Sequence, residues 1–489
     1  MKRTPPIQID WKPDKNSTIP IYQQIIQFVC GKVSRGEWPI GTRLPSQRTL
    51  AENFKVNRST VITALEELAS YGIIEGCHGA GTQIVSNTWS LLLPPSSDWK
   101  SYVTSGFFKA NNTTIQAINR LEFVPDMMRL GTGEPDPRLF PKKIWQCVLE
   151  NISKKITSLG YVEPLGLPEL REAISHYMET LGIYVPPSCI LITSGSLQAL
   201  QLISVGLLKN GSTIYTEAPT YLKSLQVFQS AGMHLSGVPM DEKGIQFWKL
   251  LPQLKCEGPY NSSVLYTIPT NHNPTGITMS DSRRKDLLEF CTSHRLPIIE
   301  DGAYEELCYE IDPPQTLKSM DKSGMVIYLG SASKSLAPGL RIGWLIADEP
   351  IVQRLGDIKM QMDYGASSIS QWAFAEFLST GMYRDHLTEL KAELLRRRNH
   401  ALDILSQHYK VFANWNIPNG GFYIWLTLKY PINMERLFEK AAKNKILLNP
   451  GDIYDFSHNN SLRLSYAYIS CEEFEKAAEI LAKIIWSLI

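Results

Sequence analysis

No C-x-x-C pair occurs in this sequence, and its eight cysteines are scattered through 489 residues. That distribution excludes the usual cysteine zinc spacings and gives no sign of a disulfide framework. The thiols read as reduced and mostly buried, as in a cytoplasmic protein, and no metal site is expected. No apolar run approaches ~18 residues, so no membrane span is expected. The opening Met1-Lys2-Arg3-Thr4-Pro5-Pro6 leads into no apolar run, so a signal peptide is not expected either. Excess charge is also lacking: 49 Lys and Arg stand against 48 Asp and Glu, a net +1. The chain as a whole therefore shows no strong electrostatic partner. Only the first 85 residues lean to one sign, with ten basic against seven acidic side chains, which permits nucleic-acid binding without demanding it. The length suggests two or three domains, and 43% hydrophobic residues suffice for sizeable cores.

What is present is organised around Ser331-Ala332-Ser333-Lys334-Ser335-Leu336-Ala337-Pro338-Gly339-Leu340-Arg341. This stretch follows Met325-Val326-Ile327-Tyr328-Leu329-Gly330, an apolar run that reads as a buried strand. An amine such as that of Lys334 condenses with an aldehyde to a Schiff base. Serine hydroxyls and an arginine fork bind phosphate well. Pyridoxal 5'-phosphate (PLP) carries both an aldehyde and a phosphate. A solvated loop lysine is the competing reading of Lys334 taken alone.

The N-terminal region reads as a compact helical domain. Residues 20–36 form a helix with Ile21, Ile25, Phe28, Val29 and Val33 on one face. Ser46 can cap a short helix over 47–54, and Asn57 a third over 58–71, which Gly72 ends. Two short strands, 73–75 and 82–85, flank a glycine-rich tip. Helix, turn, helix and hairpin describe a winged helix-turn-helix, whose second helix enters the major groove by its N-terminal end. The candidate DNA contacts are Asn57, Arg58, Ser59, Thr60 and Thr63 on that helix, with Ser46 before it. Arg43 and Arg48 lie where phosphates run, and His78 lies at the wing tip. A small helical domain with an ordinary charged face is the alternative from spacing alone.

Pro20-Ile21-Tyr22, Gly41-Thr42-Arg43-Leu44-Pro45-Ser46-Gln47-Arg48, Asn57-Arg58-Ser59-Thr60-Val61 and Gly79-Ala80-Gly81-Thr82 resemble the GntR family of bacterial regulators. The resemblance covers residues 20–85. His78 and Ala80 depart from the Arg or Lys and the Ser that the family favours in the wing.

Periodicity is poor over residues 87–125, which read as a linker. A flexible chain of that length spans roughly 35 Å. Leu91-Leu92-Leu93, Trp99, Phe107 and Phe108 suggest that parts of it dock on a larger body. From Met127 onward short apolar strands alternate with helical patterns, for example 190–193, 213–215, 263–266, 296–300 and 325–330. This predicts an α/β body with a mainly parallel sheet covered on both faces. Ligands gather at the carboxyl ends of such strands. Thr193-Ser194-Gly195-Ser196 opens a helix there and can bind phosphate; a ligand-free cap is the alternative. Asn273 can hydrogen-bond a phenolic oxygen, or belong to a plain turn. Asp301 can face a pyridine nitrogen, or cap a strand end. Tyr304 can reach a ring hydroxyl. Tyr221 can stack on a flat cofactor, or pack as a surface tyrosine.

The order of these residues resembles the fold-type I aminotransferases of the aspartate aminotransferase superfamily. The matching run is Ser194-Gly195-Ser196, Tyr221, Asn273-Pro274-Thr275-Gly276, Asp301-x-x-Tyr304, Ser331-x-Ser333-Lys334 and Arg341, together with Gly131-Thr132-Gly133-Glu134-Pro135-Asp136-Pro137, Tyr161, Gly166 and Leu462-Arg463-Leu464-Ser465-Tyr466. The resemblance implies that Lys334 carries PLP as an aldimine and that Arg463 binds a carboxylate. It also implies that Tyr161 reaches a phosphate across a dimer interface. Leu197 departs from the glutamine common at its position.

A GntR-type head on such a body resembles the MocR subfamily of bacterial transcriptional regulators. The implied organisation is a winged helix-turn-helix over 1–86, a linker over 87–125 and a PLP-binding body over 126–489. Within the body, a large part of about 165–400 is expected beside a small part of about 126–160 and 401–489. The implied function is PLP-dependent regulation by a cytoplasmic homodimer that binds double-stranded operator DNA and senses PLP, an amino acid or an amine. A working aminotransferase with a regulatory head is the runner-up, since Lys334, Asp301 and Arg463 are all retained. A body that binds no cofactor is the third reading, and that same set disfavours it.

Overall fold

The computed structural model describes residues 7, 9–77, 81–86, 112–256, 263–310 and 312–489. The chain divides into two compact units, Met1–Lys109 and Ala110–Ile489.

In the first unit, α1 (Ile21–Ser34) follows Pro20 and turns Gln24, Ile25, Ile26, Val29, Cys30 and Val33 inward. A two-residue strand, β1 (Arg43–Leu44), precedes α2 (Gln47–Phe54). The Ser46 hydroxyl accepts from Thr49 N at 3.2 Å, the expected cap, so its oxygen is committed to the helix end. Lys55 turns the chain at φ 54° and leads into α3 (Arg58–Ser70). Here the expectation for Asn57 needs correcting: it occupies the N-cap position, but its side chain makes no capping bond. β2 (Ile74–Cys77) and β3 (Gly81–Ile84) pair antiparallel, and β1 adds to β3 as the third strand. The wing residue His78 lies outside the described residues.

The core of this unit joins Ile25, Val29, Leu50, Phe54, Val61 and Leu68. It also takes in residues upstream of α1. Trp11 stacks on Phe28 with ring centres 4.5 Å apart and 9° between planes, and meets Phe54 edge-on at 5.6 Å. Such aromatic pairs contribute about 0.5–1.5 kcal/mol beyond their buried area.

The second unit opens with α4 (Thr113–Leu121), inside the stretch read as a linker. Asn112 Oδ1 caps it by accepting from Ile115 N at 2.8 Å. The hydrophobic residues 91–93, 99, 107 and 108 of that stretch lie outside the described residues. Helix α5 (Lys142–Lys155), placed with the small part from sequence, packs instead on the large part: Val148 and Ile152 share a core with Leu170, Ile192, Trp344 and Phe374.

The large sheet contains β4 (Ile190–Thr193), β5 (Thr213–Ala218), β6 (His234–Asp241), β7 (Gly244–Ile245), β8 (Val264–Thr267), β9 (Ile298–Asp301), β10 (Val326–Ser331) and β11 (Gly343–Ile346). Their order is β4-β11-β10-β9-β8-β5-β6-β7. The pairs β10/β9, β9/β8, β8/β5 and β5/β6 are parallel, while β11 and β7 run against their neighbours. All residues of β4, β8, β9 and β10 are buried, which explains their near-continuous apolar reading. The parallel register sets Leu329 of β10 opposite Asp301 of β9. Strand ends carrying Thr193, Ala218, Asp301 and Ser331 thus open on the same edge of the sheet.

A second sheet, ordered β12-β13-β15-β14, is wholly antiparallel: β12 (Ala413–Trp415), β13 (Tyr423–Leu428), β14 (Asn449–Pro450) and β15 (Ser461–Ser465). Its core gathers Leu130, Leu405, Ile424, Leu426, Leu464, Phe474 and Leu481. No helix of the described residues is long and apolar enough to cross a membrane.

Candidate ligand cavity and DNA-facing surface

Lys334 sits in the short helix Ala332–Ser335 that directly follows β10. The Ser331 hydroxyl accepts from Ser333 N at 3.1 Å and fixes that turn. The Lys334 amine donates to Gly133 O at 2.6 Å and lines a cavity of about 130 Å³. Around the same cavity lie Tyr221, Asn273, Tyr423, Tyr454 and Arg463.

Asp301 ends β9 and is 8% exposed. It accepts from Tyr266 OH at 2.6 Å and from Ala303 N at 3.1 Å. Burial raises its pKa above the ordinary carboxylate range; these two bonds and the charge of Lys334 act in the opposite direction. Tyr304 OH pairs with Tyr423 OH at 2.7 Å, and Asn273 Nδ2 reaches it at 3.5 Å. Tyr221 stands at the start of the helix Leu222–Ser230, its ring 6.5 Å from that of Tyr454, and burial pushes its hydroxyl up to about 12.

Arg463 comes from the middle of β15, opposite Trp425 of β13 and Asn449 of β14. It is 3% exposed. Its Nη1 donates to Asn273 Oδ1 at 2.8 Å and its Nη2 to Gly131 O at 2.7 Å. The guanidinium lies 4.3 Å from the ring centre of Tyr423 and 4.7 Å from that of Tyr454. Such stacking suits a planar, weakly hydrated cation. Gly133 permits this closeness, since a Cβ there would fall 2.5 Å from Tyr423 OH.

Ser194, Gly195 and Ser196 form the entry to α6 (Ser196–Gly206). Gly195 takes φ 86°, and Arg341 passes so near that a Cβ on Gly195 would meet its Nη2 at 2.7 Å. Arg341 Nη2 donates to Ser194 O at 2.6 Å. A helix N-terminus with Ser194 and Ser196, and one arginine fork, fit a phosphate. Tyr161 stands apart: it is 87% exposed, with its ring 5.4 Å from Tyr364.

Two polar atoms facing this region are buried without a hydrogen-bond partner among the described residues, Thr132 Oγ1 and Arg463 Nε. Buried orphans of this kind cost free energy unless something else satisfies them. With the Lys334 amine, held only by Gly133 O, and the buried Asp301 carboxylate, they make a polar set that fits a phosphorylated pyridine aldehyde and a carboxylate-bearing ligand.

On the first unit, Arg43, Arg48, Asn57, Arg58, Ser59 and Thr63 are exposed and Thr60 is half-buried. Arg58 Nη2 donates to Gln47 Oε1 at 3.2 Å, joining the two helices of the motif. Arg48 pairs with Glu52 at 3.4 Å one turn on.

The body matches the aminotransferase class I and II model over residues 125–481, and the head matches the bacterial regulatory proteins of the gntR family over 21–84. The HTH-type transcriptional regulator YisV of Bacillus subtilis is 48% identical over 474 residues, 97% of either chain. The chain belongs to the HTH-type transcriptional regulators that join a gntR-family head to an aminotransferase body, the MocR architecture. The regulator NorG of Staphylococcus aureus is 34% identical over 446 residues, 89% of this chain and 97% of NorG. Among solved structures, the kynurenine aminotransferase of Pyrococcus horikoshii superposes with a TM-score of 0.75 at 31% identity, covering 80% of this regulator and 98% of that chain. The α-aminoadipate aminotransferase LysN of Thermus thermophilus gives 0.72 at 28% identity, covering 80% and 98%.

Several residues of the regulator's cavity were not anticipated from sequence. Ile115, Ile118, Asn119 and Glu122 come from α4 and the residue that follows it. Lys223, Tyr423, Asn449, Ile453 and Tyr454 line it as well. The α4 signal was legible: Asn112 precedes Ile115 and Ile118, a cap followed by an i, i+3 apolar pair. Tyr423 follows Gly420-Gly421, a pair that marks close backbone approach.

Proposed function

We propose that this regulator binds PLP in its aminotransferase-like body and changes its hold on double-stranded operator DNA when PLP, or an amino-acid-like effector meeting it there, occupies the cavity. The observation that carries the reading is the convergence of the Lys334 amine, Asn273 and the buried Arg463 on one cavity in a chain with a gntR-family head. When bound, PLP supplies an aldehyde that condenses with amines and a ring that draws electrons. Lys334 would hold it covalently. Asp301 would keep a proton on the ring nitrogen, which a buried carboxylate with no cationic neighbour in contact favours. Asn273 and Tyr304 would orient the ring hydroxyl, and Tyr221 would cover the ring face. Ser194, Gly195, Ser196, Ser331, Ser333 and Arg341 would bind the phosphate, with Tyr161 completing it from the other subunit of a cytoplasmic homodimer. Arg463 would hold an effector carboxylate.

The head would use Asn57, Arg58, Ser59, Thr60 and Thr63 in the major groove, with Arg43, Ser46, Arg48 and the wing residue His78 on the backbone. Helix α4 supports a route for the signal. It lines the cavity and lies within the stretch read as a linker, so occupancy would act on the segment that leads back to the head. The retained Lys334, Asp301 and Arg463 also leave transamination chemically open, and steady turnover against amino and keto acids separates that reading from pure sensing.

The test is a titration of the holoprotein's visible absorbance with amino acids. A buried bidentate pair is worth on the order of 1.5–3 kcal/mol. Arg463→Ala is therefore expected to weaken the response by roughly tenfold or more while the cofactor stays bound. If wild type and variant respond alike to every amino acid, the carboxylate role of Arg463 is gone and PLP alone is the signal.

A further inference from the structure

We infer that the effector carries a second, cationic group at the end away from its carboxylate, and that Glu122 reads it. This rests on the sensing function proposed above and names the chemical class of the ligand.

The charges around the cavity do not balance once the roles above are assigned. Lys334 and Asp301 are used by the cofactor, and Arg341 by its phosphate. Arg463 is used by the effector carboxylate, for which it has donors to spare: two of its five N–H groups are taken by Asn273 and Gly131, and its buried Nε has no partner among the described residues. Thr132 Oγ1, 2% exposed and equally unpartnered, lines the same cavity. These two buried orphans mark where a ligand belongs. What remains are two carboxylates, Glu122 and Glu134, and one amine, Lys223, all lining the cavity.

Lys223 is not positioned as the neutralising partner. Its amine donates to Asn119 Oδ1 at 3.0 Å, holding α4 against the helix that begins at Leu222. The Glu122 side chain makes no hydrogen bond or ion pair among the described residues. It is half-buried, and desolvation raises its pKa; the charges of Lys223, Arg129 and Arg463 pull it down from a distance, and that of Glu134 opposes them. A partly desolvated carboxylate beside a second one favours a cation and disfavours an anion. Ile115 and Ile118, 6% and 5% exposed, give the stretch between the ends an apolar wall suited to methylenes. A carboxylate, a short aliphatic stem and a terminal ammonium describe a basic amino acid.

The experiment titrates the PLP-loaded full chain by visible absorbance with L-ornithine and L-lysine, L-norleucine as the apolar counterpart, and L-glutamate and L-2-aminoadipate as the acidic ones. A basic amino acid is expected to act at roughly tenfold lower concentration than norleucine, with the acidic pair weakest. Glu122→Gln is expected to erase that preference, and Glu122→Asp, which keeps the charge, to retain it. Preference for norleucine or an acidic amino acid in wild type overturns the inference alone, as does an unchanged preference in Glu122→Gln. A spectrum that responds to no amino acid overturns the amino-acid sensing role of the site, and the inference with it.

Discussion

Lys334→Ala is expected to abolish covalent retention of PLP completely. In wild type, borohydride treatment should fix the cofactor to a peptide containing Lys334; in the variant no peptide should carry it. The visible band should shift as well, and the response to amino acids should disappear. The size of the effect follows from position. The Lys334 amine reaches across the cavity to Gly133 O at 2.6 Å, and Asp301 feels its charge. The backbone around it does not depend on the amine, because Ser331 fixes the turn through Ser333 N. The variant should therefore fold, keep its phosphate and ring contacts, and lose only the covalent bond. A Lys334→Ala protein that keeps the wild-type band would refute the assignment.

The second large effect belongs to the head, where two arginines should fail in different ways. Arg58 begins α3, and its guanidinium donates to the neutral Gln47 Oε1, a modest bond that a base edge can replace. Losing a base contact costs about 1–3 kcal/mol and relaxes preference at one position. Arg48 pairs with Glu52 on the exposed face of α2. A surface pair of this kind is worth about 0–1 kcal/mol, so it yields readily to a phosphate. Losing a phosphate contact weakens all sequences alike and lowers the salt slope by about one. Arg58→Ala should thus lose discrimination between operator and scrambled duplexes, whereas Arg48→Ala should lose affinity for both. Salt titrations of each variant on both duplexes separate these outcomes. Equal weakening by Arg58→Ala on the two duplexes would remove its base-reading role.

Residues whose neighbours lie close in sequence were readable without the structure. Ser331, Ser333 and Lys334 follow an apolar strand at once, and Asp301 ends another, so strand-end logic located them. Ser46 was legible as a cap because a cap is a local event. Residues defined by distant partners were not. Tyr266 supports Asp301 from the neighbouring strand β8, and nothing around Tyr266 in sequence announces that. Tyr423 meets Tyr304 only because β13 of the small sheet faces the large one. Glu122 and Lys223 are 101 positions apart yet line one cavity. Helix α4 was obscured by the weakly periodic stretch around it, although its cap and its isoleucine pair were both present. Trp11 was missed for a related reason: its stacking on Phe28 lies upstream of any periodic segment. The placement of α5 failed because its position before the first large-sheet strand suggested the small part, while its apolar face, Val148 and Ile152, matches the large core.

On the function proposed above, the ligand state of the body sets the grip of the head on DNA. This coupling is tested most directly by measuring binding of the full-length protein to one operator duplex at fixed salt in three states: without cofactor, with PLP, and with PLP plus a responding amino acid. Coupling between sites of this kind amounts to about 1–3 kcal/mol, or 5–150-fold. A difference of at least several-fold between two of the states is expected, absent in Lys334→Ala. Superimposable isotherms in all three states would contradict it.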